Sequence, residues 1–65
     1  MIHPLYAPGD LIKVVSPQTS GYVEGEIGLI IKIERVNVKY HVYWVLFAKH
    51  AEEVPMWDIE IQKIA

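Results

Sequence analysis

Cysteine is absent from all 65 residues, which excludes a disulfide staple, a thiolate metal site and a cysteine nucleophile. An excess of one charge is absent as well. Six Lys and Arg stand against eight Asp and Glu, a net charge of −2, so no field draws the whole chain towards phosphate or anionic lipid. Long apolar runs are missing: the longest, Val42-Tyr43-Trp44-Val45-Leu46-Phe47-Ala48, has seven residues, against roughly 20 for a helix that crosses a bilayer. The first residues, Met1-Ile2-His3-Pro4-Leu5, carry neither the cationic segment nor the apolar stretch of a secretory signal, and the expected compartment is the cytoplasm. Glycine and proline number four each and are dispersed, so the sequence contains no linker-like stretch, low-complexity tract or internal repeat.

What is present is apolar side chain. At 52% apolar and 22% charged, the chain is too hydrophobic for a disordered tail and reads as one packed domain spanning residues 1–65. A domain of this size buries roughly 60% of the surface its unfolded chain exposes, and such domains often lean on oligomerisation.

Turn chemistry at Tyr6-Ala7-Pro8-Gly9-Asp10 precedes a β-branched run, Leu11-Ile12-Lys13-Val14-Val15, which Ser16-Pro17 ends. Residues 16–25 form a polar loop, the longest in the chain. From Glu26 to Glu34, Ile27, Leu29, Ile31 and Ile33 alternate with Gly28, Ile30, Lys32 and Glu34. This period of two predicts a strand with one fully aliphatic face, and Gly28 allows a bend or a close backbone approach. Asn37 tolerates the left-handed region and serves as the turn into a third strand, Lys39 to Phe47. Residues 51–56 give a short edge strand in which Pro55 costs no ladder bond, residues 57–60 one helical turn, and residues 61–64 a last strand. The expected class is all-β: a small five-stranded SH3-like barrel with a long first loop and one helical turn before the last strand.

Gly9-Asp10-Leu11-Ile12-Lys13-Val14, Gly25-Glu26-Ile27-Gly28-Leu29-Ile30, Tyr43-Trp44-Val45-Leu46-Phe47 and Trp57-Asp58-Ile59-Glu60-Ile61 together resemble the small SH3-like barrel proteins of tailed bacteriophages, marine ones in particular. The resemblance runs from Pro8 to Ile64 and implies a phage-encoded protein resident in the host cytoplasm. Gly25 to Ile30 after Gly9-Asp10 also resembles the KOW motif of ribosomal proteins and elongation factors, although Glu24, Glu26 and Glu34 stand where that family is usually basic. Glu26-Ile27-Gly28, Val38-Lys39-Tyr40 and the strand ending at Phe47 are similar to the SH3-like stromal subunit of photosystem I, with a departure in the short Lys49 to Glu53 loop. The acidic-aromatic segment and paired Trp of polyproline-binding SH3 domains have no counterpart.

No complete catalytic constellation is visible. Ser16 and Ser20 lie in a Pro/Gly loop without an elbow motif, so the chain reads as non-enzymatic. Glu52 and Glu53 are adjacent and on a strand would point to opposite faces. His3, His41 and His50 lack the paired spacings of metal motifs, and Gly25-x-x-Gly28 precedes a strand rather than a helix, so neither a metal nor another cofactor is expected. A KOW-like nucleic-acid-associated module is the alternative: Lys13, Lys32, Arg35 and Lys39 would gather near one hairpin end beside Tyr22, against interleaved acids.

The third strand is apolar on both faces, with Tyr40, Val42, Trp44 and Leu46 on one side and His41, Tyr43, Val45 and Phe47 on the other. A strand in a small barrel shows one face to water, so the outer face needs a cover. That cover is either the chain itself, through Ile2, Leu5 and Tyr6 or the loop at Tyr22, or another protein or copies of the same one. The expected protein-interaction surface is Tyr22 with His41, Tyr43, Val45 and Phe47, and Trp57 is expected as a core plug.

Overall fold

The computed structural model describes residues 3–16, 24–49 and 51–64. Five strands follow one another as β1 (Leu11–Val14), β2 (Ile27–Arg35), β3 (His41–Phe47), β4 (Glu52–Met56) and β5 (Ile61–Lys63), with a 3₁₀ turn at Asp58–Glu60 before the last. All pairings are antiparallel in one sheet of order β4-β3-β2-β1-β5. A meander from β1 to β4 whose last strand returns to the free edge of β1 is the SH3-like arrangement. Its inner face is a single core drawn from every strand: Ile12 and Val14, Ile30, Tyr43, Val45 and Phe47, Met56, and Ile61. Residues from both edge strands meet in that cluster, so the sheet curls round it rather than lying flat.

Local chemistry fixes the connections. Gly9, at φ +96°, lets the turn bring its N–H to the Ile30 carbonyl at 2.7 Å, and Asp10 Oδ2 accepts from the Ala7 N–H at 2.9 Å. The β2–β3 hairpin departs from expectation in its mechanism. Asn37 keeps a negative φ and works through its side chain: Oδ1 accepts from the N–H groups of Lys39 and Tyr40 at 2.8 and 3.0 Å. At the far end, Glu60 is only 1% exposed, its Oε1 accepts from the Trp57 N–H at 3.0 Å, and its carbonyl accepts from Val15 and Ser16. The 3₁₀ turn is thereby held on itself and on the end of β1.

Strand β2 contains the feature that decides what faces water. Its register against β3 runs Leu29↔Leu46 and Ile30↔Val45, then skips to Lys32↔Trp44 and Ile33↔Tyr43. Ile31 is the extra residue of a β-bulge, and a bulge reverses the phase of alternation. Before it, Gly28 and Ile30 point inward while Ile27 and Leu29 point out; after it, Ile33 packs against the core while Lys32 and Glu34 point out. The single aliphatic face expected of Ile27, Leu29, Ile31 and Ile33 is therefore split between the two sides of the sheet. Gly28 behaves as expected of a close approach, because a Cβ there would meet the side chains of Val45 and Phe47.

Candidate functional site

Tyr43, Val45 and Phe47 are no more than 2% exposed and form the centre of the core. The expected outward face of β3 is thus the inward one. The reason lies in the partners: Val45 and Tyr43 stand opposite Ile30 and Ile33, which the bulge turns inward together. Tyr43 is also the anchor of the N-terminal arm, since its Oη accepts from the Leu5 N–H at 2.9 Å and its ring meets Tyr6 edge-on at 5.2 Å. Tyr6 donates its own hydroxyl to the Ile61 carbonyl at 3.2 Å. Burial, with Asp58 and Tyr43 nearby, raises the Tyr6 pKa above the ordinary phenol value. The arm therefore closes one end of the core and does not lie over the outer face. His41 is half-buried at the start of β3, and Tyr22 and Ile2 lie outside the described residues.

The outer face of the sheet has two halves of different character. Towards the hairpin, Trp44 is dressed in polar groups: its Nε1–H donates to Glu34 Oε1 at 3.0 Å and Lys32 Nζ sits 5.5 Å from the ring centroid. Towards the other end, Leu11, Leu29 and Leu46 stand directly opposite one another on β1, β2 and β3, one side chain per strand in a single row. Ile27 and Ala48 border them, and the shallow apolar groove so formed is lined by Leu11, Ile27, Gly28, Leu29, Leu46 and Ala48. Leu11, Ile27 and Leu29 are 36–48% exposed. Ile64, whose N–H donates to the Leu11 carbonyl at 2.8 Å, continues the row, and Glu53, opposite Leu46 on β4, ends it. This aliphatic row is the candidate functional site.

Of the four basic residues expected to gather, Lys32, Arg35 and Lys39 lie at or near the β2–β3 hairpin, and Lys13 does not join them. Lys13 stands opposite Ile27 at the start of β2, and Arg35 stands opposite His41 at its end, roughly 25 Å away along the strand. Lys32 covers Trp44, and Arg35 Nε donates to the Asn37 carbonyl at 3.2 Å. Trp57 is a second correction: Met56 points inward, alternation turns Trp57 outward, and its ring packs edge-on against exposed Tyr40 at 6.2 Å instead of plugging the core. A cleft lined by His3, Lys39, His41 and Asp58 joins residues far apart in the sequence, and no spacing could have announced it. Among the described residues, no three His, Asp or Glu form a group able to hold a metal ion, and no helix is long and apolar enough to cross a membrane.

The row was missed in the sequence because strict alternation places Ile27 and Leu29 inside. The available signal was a surplus: four aliphatic residues at 27, 29, 31 and 33 exceed what one short strand can bury on one side of a small core. No family model, curated protein or solved structure matches the chain.

Proposed function

We propose that the protein is a non-enzymatic interaction module whose contact surface is the aliphatic row Leu11, Ile27, Leu29 and Leu46, acting on another protein or on copies of itself. The single observation that carries this reading is the contiguous, partly exposed aliphatic row on a sheet face whose other half carries Trp44 under its own polar neighbours Glu34 and Lys32. A contiguous apolar surface depleted of charge is what the core of a protein interface presents. A bacteriophage setting, in the host cytoplasm, is supported by the resemblance carried by Gly9 to Val14, Gly25 to Ile30 and Trp57 to Ile61. The separation of Lys13 from Arg35 gives the nucleic-acid alternative no support.

A photo-cross-linking residue placed at Leu29, with the same residue at exposed Glu24 as control, tests the reading in cells that produce the protein. Adducts formed from position 29 and not from position 24 are expected. No adduct from position 29, or equal adducts from both, overturns the reading.

A further inference from the structure

Resting on the interaction reading, we infer that the occupant of the aliphatic row is a second copy of this chain, seated face to face through a two-fold axis parallel to the strands and passing over β2. The charges that flank the row carry the argument. On the outer face, Lys13 lies on the β1 side, between buried Ile12 and Val14, and Glu53 lies on the β4 side, directly opposite Leu46. A row with a cation on one flank and an anion on the other is complementary to itself after a half-turn, whereas a partner of one charge would be repelled by one flank.

The register specifies which half-turn. With the axis along the strands, β1 of each copy lies over β3 of the other and β5 over β4, where Ile64 packs on the methylene stem of Glu53 and leaves its carboxylate at the rim. Leu29 then meets Leu29, Leu11 meets Leu46, and Lys13 falls over Ala48, the small residue that follows β3 and borders the groove. From there Glu53 is one strand across and two residues along, roughly 8 Å in the plane of the sheet and within reach of an extended lysine side chain. With the axis across the strands, Glu53 would stack on Glu53 of the other copy and no cation would answer it. The interface is isologous, so each Lys13–Glu53 pair occurs twice.

Light scattering after size exclusion, over a concentration range reaching the millimolar, measures the association. A dimer that dissociates on dilution is expected, and Leu29→Lys should leave a folded monomer, as read by circular dichroism. Lys13→Glu and Glu53→Lys should each weaken the dimer about tenfold, two exposed ion pairs being lost together, and the double reversal should restore it. A dimer insensitive to Leu29→Lys, or charge reversals that fail to compensate each other, overturns the inference. A strict monomer whose position 29 still cross-links to a different protein overturns the second copy and leaves the interaction reading standing.

Discussion

Threonine placed at two neighbouring positions of β2, Leu29→Thr and Ile30→Thr, separates the bulged strand from an unbroken one. Both substitutions keep a residue that favours extended backbone, so the difference between them reports on facing alone. Ile30 is fully buried opposite Val45. Replacing it removes about two carbon groups of burial, worth about 1.6 kcal/mol, and leaves a hydroxyl in the core at a further cost of about 1–3 kcal/mol. A domain of this length has about 3–10 kcal/mol in all, so Ile30→Thr should bring it to the edge of unfolding. Leu29, at 36% exposure, gives its replacement hydroxyl to water, and its loss should cost about 1 kcal/mol or less. Urea unfolding followed by Trp fluorescence measures both. With a slope near 1 kcal/mol per M, the Ile30 variant should lose about 3 M of midpoint and the Leu29 variant about 1 M or less. The reverse order, with Leu29→Thr the severe change, would show that Ile27, Leu29, Ile31 and Ile33 share the core face after all and that Ile31 is not a bulge.

Gly28→Ala drives a methyl group into Val45 and to 3.1 Å from the Phe47 ring, and should destabilise by about 1–3 kcal/mol; a melting temperature unchanged within error would refute the close approach. Ala51, at φ +53°, occupies the left-handed region at the entry to β4, and Ala51→Gly should raise the melting temperature by several degrees, for a gain of up to about 1 kcal/mol; a fall would contradict that backbone. The Tyr6 hydroxyl has its pKa raised by burial, so the folded state holds the proton more tightly than the unfolded one. Its contribution is fully present below the ordinary phenol pKa of 10.0 and is lost as pH rises through the higher folded value. Tyr6→Phe should therefore cost about 0.5–1.5 kcal/mol at neutral pH through the lost bond to Ile61, and should flatten the decline of stability above pH 10; equal alkaline slopes in the two proteins would refute the burial argument.

The strands were legible because their signals are local. β-branched runs, Pro55 at an edge and the Pro8-Gly9 turn each act on their own few residues, and the structure places elements at those points. What faces where was not legible, because one inserted residue in the middle of β2 changes the phase of everything on one side of it. Period-two reading has no term for a bulge, and nothing in Ile30-Ile31 marks which of two identical residues is the extra one. The same slip reversed the reading of β3, whose two apolar faces are told apart only by what stands opposite them. Trp57 failed for a related reason: its place follows from Met56 turning inward, while buried Glu60 holds the turn from below through the Trp57 N–H. The spacing Trp57-x-x-Glu60 is that of a capping box, but its usual Ser or Thr is missing, so the signal was half present.

The bulge links fold to proposed function through one residue. Without the bulge, a strand of this same sequence that keeps Lys32 and Glu34 outside at the hairpin would also keep Gly28 and Ile30 outside and bury Ile27 and Leu29. The outer row would then have Ile30 with side-chain-less Gly28 beside it in place of Leu29 and Ile27, and the aliphatic surface would be smaller by one large side chain. With Ile31 taken up as a bulge, Gly28 moves inward, where its missing side chain admits Val45 and Phe47, and the volume removed from the core reappears as Ile27 and Leu29 on the surface. A small domain gains nothing for its own core by this exchange, since Ile27 and Leu29 inside would bury more apolar area than Gly28 and Ile30 do. The exchange makes physical sense when the surface side chains are themselves buried in an assembly, where the same residues contribute between copies what they no longer contribute within one.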